Sequence, residues 1–296
     1  GILDALSTKT TGNTANQQKI GDYYAACMNE EAVEQSGAAP LQPVLDRIAA
    51  MQSKAELPAV LAALHLSIAS NGLYFGFGSE QDFSNSSNVI AFATGGGLSL
   101  PDRDYYTKTD TKSKELRAHY RAHVARMFAL IGDSPSLTQQ NAATVLRTET
   151  LLARATLSVL DRRDPYKLFH MMDVAKLQAL TPGFDWGVYL RTVGLPEVRT
   201  LNVTEPRFYQ TLARHWQTSS LNEIKVYLRW QVVHAQAFAL SKAFATEDFK
   251  FFSKTLQGTP SQPPRWKRCV ALVDAQLGEA LGQEFVDRAF GPELKK

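Results

Sequence analysis

Two histidines stand four residues apart in the segment HYRAH, which runs from His119 to His123. In a helix such a pair projects from one side, and many zinc hydrolases present their first two metal ligands in this way. A site of the HExxH type also needs a glutamate directly after the first histidine, as general base, and a third ligand from another helix. Tyr120 occupies the position of that glutamate and cannot take a proton from a zinc-bound water. The spacing therefore favours two partly exposed histidines on a packing helix, with a zinc site as the alternative hypothesis.

The other residues that could act in metal binding or catalysis do not have the sequence spacing of a known active site. The remaining histidines lack the spacing of metal ligands: His65, His170, His215 and His234. The sequence has no GxSxG nucleophile elbow, no P-loop and no GxGxxG after a strand, and the run Gly95–Gly97 indicates a tight turn. Asp102 and Asp104 flank Arg103, which favours a salt-bridged loop over a catalytic carboxylate pair. By chemistry alone, the sequence contains no recognisable active site.

The composition bounds the class of protein. The chain has 296 residues, of which 44% are hydrophobic, and this is enough for a real core in one large domain or two ordinary ones. Lys and Arg number 32 against 29 Asp and Glu, so the net charge of +3 is too small and too dispersed to indicate nucleic acid or an acidic membrane surface as a partner. No apolar run reaches the roughly 18 residues that span a bilayer, and the N-terminus lacks the pattern of a signal peptide.

Cys27 and Cys269 are the two cysteines of the chain. Taken alone, they are compatible with two buried thiols, because free cysteine is among the most buried residue types. A bridge between them would close a very long loop and would indicate an oxidising compartment.

Helical periodicity dominates the elements that must position these residues. We predict helices over residues 16–35, 41–51, 57–70, 112–131 and 138–160, a helix from the Ser220–Glu223 capping box to Phe244, and a last one from Pro263-Pro264 through Phe290. The spacing of Ser136 and Gln139 predicts a capping box for the fifth of these helices. Residues 73–100 alternate apolar and small side chains between glycine-rich turns, which predicts a hairpin. The fold class predicted is mainly α, a multi-helix domain with a small β-hairpin insertion.

Four segments resemble, in order and spacing, signature segments of the neprilysin-like zinc metallopeptidases, which include the endothelin-converting enzymes. They are YYAACMNEEAVEQSGAAPL (23–41), GGGLSLPDRDYY (95–106), RRDPYKLFHMMDVAKLQ (162–178) and RWKRCVALVDAQLGEALGQEFVDRAF (265–290). The resemblance covers nearly the whole chain and falls on the N-terminal region of that family. The family's HExxH, its downstream GExxxD and its Asn-Ala-aromatic-Tyr strand are not found in residues 1–296.

The resemblance implies that residues 1–296 form the N-terminal helical cap domain of a larger peptidase, whose catalytic zinc domain lies C-terminal to this chain. In the family, such a domain and the catalytic domain enclose a chamber that admits short peptides and excludes folded proteins. Zinc is then expected in the full-length enzyme and not in this chain, which alone should be inactive. The implied partners are its own catalytic domain and short peptides, with no nucleic acid.

Two further expectations follow from the resemblance. Asp4, in ILDAL, falls on an acidic position of the family segment that contributes to the pocket for the substrate residue after the cut; an exposed acid near the terminus is the alternative. Cys27 and Cys269 match positions that are bridged to each other in animal members, which predicts a disulfide and a periplasmic or extracellular setting, with membrane anchoring left open. The extra cysteines of the animal enzymes are missing, which suits a bacterial member. The rival hypothesis is a stand-alone helical binding or scaffold protein with the cap fold and no peptidase activity.

Overall fold

The computed structural model describes residues 1–9, 11–68 and 73–291, and most of them are helical. The helices are α1 (Ile2–Thr8), α2 (Ala15–Met28), α3 (Glu30–Ser36), α4 (Gln42–Ala50), α5 (Leu57–Ser67), α6 (Asp104–Thr107), α7 (Thr111–Leu130), α8 (Pro135–Ala155), α9 (Pro165–Leu168), α10 (Val174–Leu180), α11 (Trp186–Thr192), α12 (Pro206–Thr218), α13 (Leu221–Gln236), α14 (Lys242–Asp248) and α15 (Arg265–Ala289). The strands are β1 (Phe75–Gln81), β2 (Val89–Gly95), β3 (Met171–Asp173) and β4 (Thr200–Val203). The predicted fold class, mainly α with a small β insertion, is confirmed. Within the described ranges, no helix is both long enough and apolar enough to cross a membrane.

The chain folds as two compact units. The first combines Gly1–Gly37 with the described residues from Ala239 onward, and the second is Ala38–Phe238. The first unit therefore brings together two segments that are far apart in the sequence.

In the first unit, α1 and α15 pack on α2. Each of the three helices contributes two buried side chains to its core: Leu3, Leu6, Ile20, Tyr24, Cys269 and Val273. Gly21 of α2 lies against the backbone of α1, where an added Cβ would stand 2.4 Å from the carbonyl oxygen of Leu6. Only a residue without a side chain fits this crossing.

The helix predicted over residues 16–35 is two helices. The first begins with a capping box in which Thr14 accepts from the backbone N–H of Gln17 at 3.2 Å, and the Gln17 side chain accepts from the N–H of Thr14 at 2.9 Å. Asn29 ends this helix and caps the next, since its side-chain oxygen accepts from the N–H of Ala32 at 3.2 Å. An asparagine at an N-cap stabilises a new helix start, and so the predicted helix is broken at this residue.

In the second unit, α8 packs against α7, α12 and α13. Helix α7 buries Tyr120, Val124 and Met127. The predicted capping box at Ser136 is wrong, because α8 begins earlier, with Ser134 as N-cap and Pro135 in the first helical position, which favours proline. The capping box at Ser220 is confirmed. The helix that it opens ends at Gln236, before the predicted Phe244, and a single 3-10 turn separates it from α14.

The sheet of the second unit has the strand order β1-β2-β4-β3. The predicted hairpin is β1 and β2, which are antiparallel with Phe75 opposite Gly95. Strand β4 adds to it in parallel, with Phe92 opposite Asn202, and β3 pairs antiparallel with β4. Sequence analysis did not predict β3 and β4, since three and four residues are too few to show a period of two.

Aromatic side chains fill the core behind the hairpin. Phe184 stacks on Trp216 with ring centroids 4.7 Å apart, and Phe75 contacts both rings. Phe75, Phe184 and the neighbouring Trp186 are fully buried. Buried aromatic pairs of this kind contribute about 0.5–1.5 kcal/mol each beyond their buried area, so this is a firmly packed part of the fold.

Candidate functional site

The two histidines of HYRAH lie in different environments. His119 is exposed, whereas His123 is fully buried and packs edge-on against Trp230, with ring centroids 5.8 Å apart. The prediction of two partly exposed histidines was therefore wrong for His123. The reason is that α8 and α13 both pack on α7 and widen its buried arc beyond a single stripe. In the part of the chain that the structure describes, no group of three or more His, Cys, Asp or Glu side chains could hold a metal ion, and these two residues do not fit a zinc site.

The segment PDRDYY forms a tight, hydrogen-bonded turn. A side-chain oxygen of Asp102 accepts from the backbone N–H of Asp104 at 2.7 Å, and Asp104 pairs with Lys108 at 3.1 Å. Arg103 bonds to neither carboxylate but donates to the carbonyl of Thr156 at 2.7 Å. The salt-bridged loop predicted here exists, with Lys108 as the cation in place of Arg103.

A buried glutamate holds this segment to α8. The Glu149 side chain has no exposed surface, and it accepts hydrogen bonds from Ser99 at 2.7 Å, Tyr106 at 2.9 Å and Tyr120 at 2.7 Å. The indole N–H of Trp230 and the amide of Gln231 each donate to it at 3.2 Å. We call Glu149 and these five donors the Glu149 cluster. It joins the GGGLSLPDRDYY segment to α7, α8 and α13.

The triple glycine precedes this cluster and is needed for close packing. Gly97 has a positive φ of +80°, and an added Cβ would stand 2.5 Å from the hydroxyl of Tyr227 and 2.8 Å from Leu152. The same tyrosine hydroxyl donates to the carbonyl of Gly97 at 2.9 Å. Gly95 ends strand β2 and Gly97 lies against the core in an irregular segment, so the tight turn predicted for Gly95–Gly97 is not formed, and no helix begins directly after the run as in a phosphate-binding loop.

The Glu149 cluster has the chemistry of a structural network. Burial raises the pKa of Glu149 to about 7, and the hydrogen bonds from Ser99, Tyr120 and Tyr106 oppose this rise. A carboxyl group with such a pKa could serve as a general acid or base. Here it touches no solvent and both of its oxygens are occupied by donors, so no substrate reaches it. Its effect is to fix the segment that it binds.

Sequence analysis missed Glu149, although a signal for it exists. Ala142, Val145 and Leu152 form the buried stripe of α8, and Glu149 stands in the same stripe at the spacing of a core position. A lone acid on an apolar helix face indicates a buried carboxylate with dedicated donors. Its donors come from sequence positions up to 82 residues away and could not be assigned from the sequence.

Asp4 lies in the first turn of α1. Its carboxylate is 67% exposed and accepts from the amino group of Gly1 at 2.7 Å. Its neighbours Leu3 and Leu6 are buried in the core of the first unit and fix α1, and the exposed Asp4 carboxylate interacts with Tyr24 at the edge of that core.

Cys27 and Cys269 are bonded to each other, with their Cα atoms 5.8 Å apart. The disulfide joins α2 to α15 across a sequence separation of 242 residues. Arg265 at the start of α15 donates to the carbonyl of Cys27 at 2.7 Å. These two links fasten α15, from the second of the two segments, to α2 in the first.

No catalytic set is formed by the described residues of either unit, whereas the whole sequence has clear relatives. The sequence model of the family described as Peptidase family M13 matches residues 1–296. The chain belongs to peptidase family M13. It corresponds to the N-terminal domain of the neprilysin-like enzymes in that family, which confirms the resemblance seen in the four signature segments.

Curated relatives match this M13 domain along almost its full length. Human endothelin-converting enzyme 1 is 27% identical over 305 residues, which cover 99% of this chain and 39% of that protein. Mouse membrane metallo-endopeptidase-like 1 is 28% identical over 320 residues, with 99% and 41% covered. The chain therefore spans about two fifths of the length of these relatives.

Solved structures agree with the sequence comparison. The zinc metalloprotease Zmp1 of Mycobacterium tuberculosis, in its open state, has a TM-score of 0.92 and 33% identity, covering 99% of this chain and 45% of Zmp1. The inhibitor complex of Zmp1 gives a TM-score of 0.91 at 32% identity, with 98% and 44% covered. PepO from Lactobacillus rhamnosis, at 16% identity and a TM-score of 0.81, shares the fold.

Proposed function

We propose that this M13 chain is the non-catalytic N-terminal domain of a zinc endopeptidase that hydrolyses short peptides. The observation that carries the proposal is the match of 99% of the chain to 45% of Zmp1, a zinc metalloprotease. The names of the curated relatives, an endothelin-converting enzyme and a membrane metallo-endopeptidase-like protein, support peptide hydrolysis by the intact protein.

Zinc, on this proposal, is bound by the catalytic domain of the intact enzyme. Residues 1–296 contain no HExxH, and the histidine pair of HYRAH is split between core and surface. This chain therefore contributes no ligand and no general base. Its own partners are the catalytic domain of the same protein and the peptide substrate.

The role that we assign to the domain is to enclose the substrate chamber and to limit access by size. A wall of this kind must be rigid, and the structure offers three reasons for rigidity: the packed aromatic core behind the hairpin, the fully hydrogen-bonded Glu149 cluster and the Cys27–Cys269 disulfide. A buried polar network in which every donor has an acceptor favours one arrangement of the elements that it joins.

We further propose an extracytoplasmic location for the intact protein. The Cys27–Cys269 disulfide supports this, because structural disulfides persist in the periplasm and outside the cell and are rare in a reducing cytosol. Asp4 is proposed to contribute to the pocket for the substrate residue after the cut. Its exposure and the fixed position of α1 support this assignment.

A size-selection experiment tests the proposed function. One quenched peptide sequence is offered to the intact enzyme as a free short peptide and as a loop grafted into a folded carrier protein. We expect chelator-sensitive cleavage of the free peptide and none of the folded carrier, while the carrier is cut once it is denatured. Cleavage of the folded carrier at the same rate as the free peptide would contradict the proposal that this domain limits access to the chamber by size.

The coding sequence that follows Lys296 distinguishes the proposed peptidase domain from the rival hypothesis of a stand-alone scaffold. An HExxH motif downstream supports the peptidase domain, and a stop codon supports the scaffold.

A further inference from the structure

A groove of about 1490 Å³ is lined mainly by helices α8 and α12 of the second unit. Apolar side chains, among them Leu146, Leu151 and Ala155, form part of its lining.

The groove concentrates the positive charge of the chain. Seven of its lining side chains are basic, Arg103, Arg121, Arg147, Arg154, Lys167, Arg207 and Arg214, and a single one, Glu205, is acidic. Their surplus of six positive charges is twice the net charge of +3 carried by the whole chain. Charge that looks dispersed in the sequence is thus collected on one surface.

The arginines form two ladders. Arg147 and Arg154 stand seven residues apart on α8, and Arg207 and Arg214 stand seven apart on α12. Seven residues are nearly two turns of a helix, so each pair lies on one face with about 10.5 Å between its members along the axis. The two ladders line the same groove.

Several of the basic groups are already engaged, and others are not. Arg147 pairs with Glu223 at 2.5 Å, and Lys167 pairs with Asp161. Glu205 is buried and accepts from the backbone N–H of Leu157 at 2.5 Å, so it is committed to the fold.

Three guanidinium groups of the ladders remain free for an external ligand. Among the described residues, no acceptor lies within hydrogen-bond distance of the exposed side chains of Arg154, Arg207 and Arg214.

We propose that this groove binds an acidic segment of peptide in extended conformation, whose carboxylates pair with Arg154, Arg207 and Arg214. Guanidinium groups bind carboxylates through two parallel hydrogen bonds. In an extended chain of the polyproline II type, every third side chain lies on the same face and three residues advance about 9 Å, which is close to the rise of about 10.5 Å between Arg207 and Arg214 on α12. The apolar lining accommodates the side chains between the acids.

A peptide fits this groove better than a single-stranded nucleic acid. Nucleic-acid grooves combine basic residues with aromatic side chains on which bases stack. Tyr166 is the one exposed aromatic residue in the lining, since Phe208 is fully buried. The proposal does not depend on peptidase activity, so its test is a direct binding measurement.

The experiment measures fluorescence anisotropy of a labelled short peptide with glutamate at every third position, added to this chain and to the intact protein that contains it. We expect saturable binding that weakens as salt rises, and no binding of the same peptide with glutamine in place of glutamate. The double variant Arg207→Gln/Arg214→Gln should raise the Kd by at least about tenfold.

A matched control removes two exposed arginines outside the groove, as Arg47→Gln/Arg191→Gln, and should change the Kd by less than about twofold. Thermal unfolding checks that both double variants are folded, and Arg154→Gln on the other ladder gives an independent loss of binding. Equal weakening by both double variants, equal binding of the glutamine peptide, or tighter binding of a single-stranded oligonucleotide of the same charge would each overturn the proposal.

Discussion

Glu149 is a carboxylate that the protein surrounds with hydrogen-bond donors and pairs with no cation. Desolvation raises its pKa, and the five donors make its burial tolerable. The donors fix the GGGLSLPDRDYY segment, which is one of the four segments that resemble the family. In this chain, Ser99 and Tyr106 of that segment therefore have a structural role.

The pKa of Glu149 predicts a dependence of stability on pH. The folded protein keeps this proton up to about pH 7, whereas the unfolded chain releases it near pH 4.5. Between these values the unfolded state binds fewer protons, so the free energy of unfolding falls as pH rises. The contribution of Glu149 is fully present below pH 4.5, and on the order of 3 kcal/mol of it is lost by about pH 7.

Glu149→Gln isolates this contribution. The variant should be less stable by roughly 1–3 kcal/mol at low pH, because its amide brings two N–H protons among these donors, whereas the protonated carboxyl group brings one O–H. The difference between wild type and variant should shrink as pH rises from 4.5 to 7, since only the wild type titrates here. Urea unfolding of both proteins over a series of pH values measures the difference in their free energies of unfolding. The other titrating groups contribute equally to both proteins and cancel in this difference. A difference independent of pH would show that Glu149 does not titrate as described.

Asp4→Asn tests the substrate-pocket proposal at the scale of one residue. In the intact enzyme we expect kcat/KM to change by about tenfold for some peptides and much less for others, according to the residue after the cut. Asp46→Asn, an exposed acid on α4, is the matched control and should leave every substrate unaffected. If kcat/KM changed equally for all peptides, or did not change, Asp4 would be an exposed surface acid and not part of the substrate pocket.

Sequence reasoning at this scale had uneven success. It favoured packing histidines over a zinc site because Tyr120 cannot act as a base, but it placed His123 partly in solvent, whereas α8 and α13 both pack on α7 and bury this residue. Glu149 lay in a visible apolar stripe, whereas its donors on other elements were not visible. The arginine ladders were missed for the same reason, since each is a pair on a different helix.

At the scale of elements, the crossing of α1 and α2 depends on one glycine. Gly21→Ala should lower the free energy of unfolding by roughly 1–3 kcal/mol, because the added Cβ would stand 2.4 Å from the Leu6 carbonyl oxygen. This loss has to exceed the gain in helix propensity of about 1 kcal/mol. Denaturant unfolding with a probe in the first unit measures it.

Gly282→Ala is the matched control for this substitution. It makes the same change in α15, where an added Cβ meets nothing within 4 Å. Here the gain in helix propensity is not opposed by a steric clash, and we expect the free energy of unfolding to rise by about 0.5–1 kcal/mol. If both variants were stabilised, the close approach of α1 and α2 would not exist in solution.

The disulfide makes a second prediction at this scale. Cys27→Ser/Cys269→Ser should lower the free energy of unfolding by roughly 2–5 kcal/mol, because the bond restricts the unfolded chain over a very long loop. Reductant should lower the Tm of the wild type and leave the variant unchanged. A thiol titration of the denatured, unreduced protein that found two free sulfhydryls would contradict the bond.

Elements were predictable where they are long and periodic. The helices α7, α8 and α15 and the β1–β2 hairpin came close to their predicted positions. The break at Asn29 was missed because the apolar pattern continues across it, although asparagine followed by two glutamates is a recognisable helix start. Strands β3 and β4 are too short to show a pattern, and their pairing is set by the rest of the sheet.

At the scale of the whole molecule, the fold and the family could be reached from the sequence, whereas the division into units could not. The first unit is made from the two ends of the chain, and helical periodicity carries no information on such pairing. The cysteines supplied the one visible link between the ends, and only through their match to bridged positions in the family. Under the two proposals, this chain encloses the substrate chamber of the intact enzyme, and its arginine groove is an added binding surface.

The most direct test of this account is an activity and metal assay on the purified 296-residue chain, set beside the intact enzyme. We predict that the chain alone binds no stoichiometric zinc and does not cleave a quenched short peptide, while the intact enzyme cleaves it in a chelator-sensitive manner. Chelator-sensitive cleavage by the chain itself, with stoichiometric zinc that His123→Ala removes, would contradict the central claim.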